Sequence, residues 1–141
     1  MLLKLGYTHL TIVDIAPTVV ARLKEKYADR PEIQILCGDF FQHEGSYDLI
    51  LEQTFFCALV PSLRSAYVEK MAELLKSGGL LVGVFFDRDF EGGPPFGGHA
   101  EEYRTLFTPY FELLDFSPCI RSAAPRAGSE LFIRMRKRLV L

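Results

Sequence analysis

The chain has 141 residues, 49% hydrophobic and 24% charged, with a net charge of −2. Its length makes it one domain, and the composition is that of an ordinary globular core rather than a disordered chain. The charge gives no electrostatic case for nucleic acid, and no apolar run nears the roughly 18 residues needed to cross a bilayer.

Met1–Leu5 reads as the last turn of a helix that Gly6 ends. It has neither the long apolar core nor the small-residue cleavage site of a signal peptide. His9–Asp14 (HLTIVD) is β-branched and apolar, a strand that closes on an acid. Pro17 suits the first turn of a helix, where its missing N–H costs nothing. Val19, Val20, Leu23 and Tyr27 then recur at helical spacing, with Lys24, Glu25 and Lys26 outward. Pro31 breaks the chain before a second strand, Ile33–Cys37 (IQILC), which ends at Gly38-Asp39-Phe40-Phe41.

Residues 42–46 (QHEGS) form a surface loop by composition. The third strand, Tyr47–Glu52, precedes a helix near Leu63–Lys76 whose apolar stripe is Tyr67, Met71, Leu74 and Leu75. Gly78 supplies the left-handed residue that stops this helix, and a fourth strand runs from Leu80 to Phe86. The glycines and prolines of the next stretch exclude regular structure from Gly92 to Gly98. Loops of this length are usually functional or disordered. Glu101–Phe107 is a short helix. Phe111–Phe116 and Leu131–Leu139 are final strands, antiparallel because no helix-length segment separates them. The basic run Arg134–Arg138 alternates with apolar residues, as the solvated face of a half-buried strand does, which outweighs a phosphate-binding reading.

Cys37, Cys57 and Cys119 lie far apart, a spacing that supports neither a zinc site nor a disulfide framework. Buried, reduced thiols in a cytoplasmic protein are expected. Three scattered histidines give no support for a metal site.

Alternating strands and helices, without repeat or linker, predict a three-layer α/β fold. Its sheet is mainly parallel and closes with an antiparallel strand pair. In open parallel sheets ligands sit outside the carboxyl ends of strands, and three successive ends here carry suitable groups. Asp14 ends the first. A carboxylate there accepts both hydroxyls of a ribose, although it serves NAD equally well or simply starts the next helix. Gly38-Asp39-Phe40 ends the second, an acid and an aromatic for an adenine's amino group and ring face, or else a turn followed by core aromatics. Glu52, Gln53, Phe55 and Phe56 follow the third, carboxylate and ring faces of the kind that attract a sulfonium cation.

These stretches resemble the class I S-adenosylmethionine-dependent methyltransferases, a Rossmann-like fold, and within them the branch of thiopurine S-methyltransferase and the plant-type thiol/halide methyltransferases. The resemblance rests on VDIAPT (Val13–Thr18), GDFF (Gly38–Phe41), YDLILEQTFFCALVPSLR (Tyr47–Arg64), LLKSGGLL (Leu74–Leu81) and EGGPPF (Glu91–Phe96). It covers most of the chain, and FFCALVPSLR followed by GGPPF is its specific part. It implies that S-adenosylmethionine is the cofactor and a small thiol, thiopurine-like molecule or halide/thiocyanate the methyl acceptor. Asp14 and Ile15 would hold the ribose, and Gly38, Asp39 and Phe40 the adenine. Glu52, Gln53 and Phe56 would border the cofactor. Phe55, Phe86, Arg88 and the Pro94-Pro95-Phe96 loop would border the acceptor, though the phenylalanines equally suit a core and Arg88 and Asp87 equally suit ordinary loop charge. Soft nucleophiles are already reactive, so positioning in a dry pocket suffices and no catalytic base is named.

The chain departs from the family at its start. The family's first strand and glycine-rich loop would lie before Met1, and Gly78-Gly79, Gly92-Gly93 and Gly97-Gly98 do not replace them. A truncated protein is therefore expected, with unpaired edges on two strands and self-association through them. Two rival readings remain. One is a non-catalytic fragment or remnant that binds no cofactor alone. The other is a NAD-dependent oxidoreductase, which shares Asp14 but neither FFCALVP nor GGPPF.

Overall fold

Short β-branched runs closed by polar turns form strands in the computed structural model, which describes residues 1–139. The chain divides into two compact units, Met1–Glu44 and the residues from Gly45 onward. The expected α/β sheet is present as two separate hydrogen-bonded pieces, one in each unit.

The first unit opens with a 3-10 turn, Leu2–Leu5, that Gly6 ends in the left-handed conformation. β1 (Leu10–Asp14) leads into α1 (Pro17–Lys26), whose first residue is the proline, and β2 (Ile33–Cys37) returns parallel to β1. The register places Asp14 beside Cys37, so both strand ends lie on one rim. Val20 and Ile35 are buried, whereas every residue of β1 stays half-buried.

In the second unit β3 (Tyr47–Gln53) pairs parallel with β4 (Leu75–Phe86). β6 (Glu130–Lys137) is antiparallel to both β4 and β5 (Phe111–Pro118), giving the order β3-β4-β6-β5. The closing antiparallel pair expected from the sequence is present. Alternation sets its faces, since Ile133 and Met135 are fully buried while Arg134 and Arg136 pair outside with Asp115 and Glu112. The basic run is thus a solvated strand face through Lys137.

α2 (Arg64–Leu74) buries Tyr67, Val68, Met71 and Leu74, and α3 (Ala100–Phe107) buries Tyr103 and Phe107. Strand limits differ from expectation by one or two residues at β3, β5 and β6, and the largest difference lies between α2 and β4. α2 stops at Leu74, and Leu75 already pairs with Tyr47 in the sheet. Gly78, at φ 77°, therefore serves the bulge that carries the β3–β4 register from Leu75 to Leu80, not a helix end. Among the described residues β1 and β3 each have a single sheet neighbour, β2 and β4. Of the cysteines Cys57 is buried, but Cys37 is exposed and Cys119 half-buried, so burial was expected too widely.

Candidate functional site

The predicted site residues fall into two groups, each gathered inside its own unit. In the first, Gly38 donates its N–H to the carbonyl of Asp14 at 3.0 Å, joining the ends of β1 and β2. Asp14 Oδ1 accepts from Ala16 N at 2.8 Å and Asp39 Oδ1 from Phe41 N at 2.9 Å. Both carboxylates thus order the backbone that follows them, and each keeps acceptor capacity on its second oxygen. Ile15 is 71% exposed, and the half-exposed rings of Phe40 and Phe41 meet edge to face at 5.2 Å. An aspartate at one strand end, with a second aspartate and a half-exposed ring at the next, places free carboxylate oxygens and a ring face on one rim.

In the second unit Glu52 is the penultimate residue of β3, with its side chain turned inward and 4% exposed. Its Oε1 accepts the N–H groups of Phe55 and Phe56 at 2.9 and 3.1 Å, and its Oε2 accepts the Tyr67 hydroxyl at 2.7 Å. Burial raises the Glu52 carboxyl above the ordinary glutamate range, against the lowering effect of these three donors. Tyr67, fully buried beside it, is pushed well up by burial and then by the Glu52 charge. Gly83 faces Glu52 across the β3–β4 pair, and a Cβ there would lie 2.2 Å from the Glu52 carbonyl oxygen. Only glycine lets the strands approach this closely.

Between Gln53 and Phe55 the backbone of Thr54 sits at φ 62°. For a β-branched residue this is a true outlier, costing about 1–3 kcal/mol. Phe56 is 1% exposed, stacked on Phe85 at 4.5 Å and edge-on to Tyr67 and Tyr103. Glu52 and Phe56 are therefore occupied by the unit's own core, while Gln53 and Phe55 are exposed.

Phe86, 9% exposed, packs against Phe90 with the Arg126 guanidinium 5.6 Å from its ring, and Arg88 lies over Phe90 at 4.4 Å. Pro94 and Pro95 are exposed. Phe96 is half-buried, and its N–H donates to Cys57 O at 2.7 Å.

Three residues that sequence reasoning missed hold this region. Arg64, 4% exposed, donates to Glu102 at 2.5 Å and to Gly97 O at 2.6 Å, with its guanidinium 5.0 Å from the Phe56 ring. Its signal was its place three residues before Tyr67 on the buried stripe. Tyr67 falls on the apolar stripe of α2, and its spacing gives no sign that its hydroxyl serves Glu52. His99 lies 2.9 Å from Asp89 and 3.5 Å from Asp87, and the Asp89 contact raises it above the ordinary histidine range. Nothing in its spacing marked it. No cluster able to hold a metal ion occurs among the described residues, and none of their helices is long and apolar enough to cross a membrane.

The fold is that of the class I methyltransferases. The chain superposes with a TM-score of 0.72 on the 1,6-didemethyltoxoflavin-N1-methyltransferase of Burkholderia thailandensis, at 20% identity over 97% of this chain and 64% of that one. Residues 9–128 match the family model of thiopurine S-methyltransferase (TPMT), and the chain belongs to that family. It is 35% identical to the probable thiol methyltransferase 2 of Arabidopsis thaliana over 136 residues, covering 92% of this chain and 60% of that protein. It is 30% identical to thiocyanate methyltransferase 1 of Brassica oleracea, covering 89% of this chain and 58% of that protein. The chain thus spans about 60% of the length of these curated relatives.

Proposed function

We propose that this chain serves S-adenosylmethionine-dependent methyl transfer to a small soft nucleophile: a thiol, a thiopurine-like molecule, or a halide or thiocyanate ion. What carries the reading is the family match together with the similarity to a probable thiol methyltransferase and a thiocyanate methyltransferase. In the first unit Asp14 accepts the ribose hydroxyls, Asp39 meets the adenine amino group, and Ile15 and Phe40 supply apolar flanks. When bound, S-adenosylmethionine supplies a sulfonium methyl open to in-line displacement. In the second unit Gln53 and Phe55 are the exposed members of the β3 end. With Phe86, Arg88 and the Pro94-Pro95-Phe96 loop they orient the acceptor; Gln53, expected from the resemblance to border the cofactor, is assigned to the acceptor side in this reading because it is exposed beside Phe55. A soft nucleophile needs no strong base, and the reading assigns none. A cytoplasmic location belongs to the same proposal, supported by three free cysteines.

Titration calorimetry of the chain with S-adenosylhomocysteine, with NAD as control, tests this. Micromolar affinity for the first alone is expected, followed by methyl transfer to thiocyanate or a thiol. Equal binding of NAD, or no binding of either, overturns it. One observation favours a second reading, a chain that binds no cofactor alone and self-associates. β1 and β3 each have an edge unpaired among the described residues. Light scattering then shows a mass above that of the 16.0 kDa monomer, and the same titration is blank.

A further inference from the structure

We infer that Glu52 is a positioning residue: with Tyr67 it pins the turn after β3 in the strained conformation at Thr54, which presents Gln53 and Phe55 as the acceptor-facing pair. The inference rests on the methyl-transfer reading above and deepens it by naming what sets the acceptor side of that site.

The turn is held at both ends. Gln53 is still in the sheet, paired with Val84, and Phe56 is wedged into the aromatic core at 1% exposure. Two residues must cover the gap, and Thr54 absorbs the whole distortion at φ 62°. Strain of this kind persists only where the surroundings over-determine it. Here the determinant is one buried carboxylate, whose Oε1 receives the next two backbone N–H groups and whose Oε2 receives the Tyr67 hydroxyl from α2. The hydroxyl of Thr54 closes on Gln53 O at 2.6 Å, so it too is engaged with the turn. Glycine would adopt this φ without strain, but it would also let the turn swing. A β-branched residue under strain gives a turn that cannot relax while its clamp is in place. The side chains that emerge from it, Gln53 and Phe55, are exposed, at 38% for Phe55. Conformational freedom at that pair is what the clamp removes, and an acceptor that meets a preset surface loses less on binding.

Residue-resolved hydrogen exchange on the full chain tests the clamp without relying on activity. In Glu52→Ala the Phe55 and Phe56 amides should exchange about thirtyfold faster or more, while Leu81 and Ile133 keep their protection. Glu52→Gln, which retains an acceptor oxygen, should restore protection to within about threefold. Unchanged protection in Glu52→Ala overturns the clamp. Should that variant not fold, Tyr67→Phe should speed the same amides about threefold to tenfold, and no change there overturns it equally. Thr54→Gly tests the consequence. It should raise the KM for thiocyanate about fivefold or more, while S-adenosylhomocysteine affinity stays within about twofold. An unchanged KM shows that the turn does not set the acceptor surface. A wild-type chain that transfers no methyl group breaks the functional reading and the acceptor role with it, while the exchange data still decide the clamp.

Discussion

Phe40 in the first unit and Phe56 in the second both follow the carboxyl end of a parallel strand, yet one ring is half-exposed and the other is 1% exposed. The same divergence separates the acids. Asp14 and Asp39 each spend one oxygen on a single nearby N–H, whereas Glu52 spends both oxygens on three donors inside the core. The cause is the amount of structure available to cover each strand end. Two parallel strands and one ten-residue helix bury little apolar surface, and such a pair is marginal by itself. Four strands under two helices enclose an aromatic cluster that draws in whatever lies beside it. Strand ends on a thin core remain available to a ligand, and those on a thick core are partly consumed by folding.

Substitutions can break this contrast, the largest effect coming from the matched phenylalanines. Phe56→Ala should cost about 3–5 kcal/mol of unfolding free energy by denaturant titration, since it empties the centre of the cluster. Phe40→Ala should cost about 1 kcal/mol or less and instead weaken S-adenosylhomocysteine binding. Equal losses would erase the distinction between the units. Next comes Arg64→Met, which removes a guanidinium from between Phe56, Glu102 and Gly97 O. About 1–3 kcal/mol is expected, because Glu102 is half-exposed and tolerates the loss of its partner. Faster proteolysis within residues 88–98 should accompany it.

Asp14→Ala sharpens the comparison from the other side. It should lower stability by about 1 kcal/mol or less, through loss of the Ala16 contact. Its main effect should be about tenfold weaker S-adenosylhomocysteine binding, or ~1.4 kcal/mol, and unchanged affinity would remove Asp14 from the ribose role. The smallest effect is a pH dependence. Because burial raises the folded-state pKa of Glu52, the native chain holds that proton more tightly than the unfolded chain does. Its contribution is therefore fully present below the unfolded glutamate value and is lost as pH rises through the folded one. Glu52→Gln should flatten that segment of the stability–pH curve, and an unaltered curve would show that Glu52 is not its source.

The sequence by itself determined most of the elements and the family. Period-two alternation in Leu131–Arg136 decided which side chains face the core, and strand-end acids marked Asp14 and Asp39, because these signals are local. The limit of α2 was not local. Leu75 continues the helical stripe but is taken by sheet pairing with Tyr47, and Gly78 follows it into a bulge. Nor was the fate of the third strand end legible. EQTFF offers a carboxylate, an amide and two rings with equal claim on a ligand. Only packing around Tyr67 and Phe85 turned Glu52 and Phe56 inward and left Gln53 and Phe55 outside. Tertiary structure made that choice because burying a carboxylate requires donors, and those donors come from a turn and a helix that sequence order alone does not bring together.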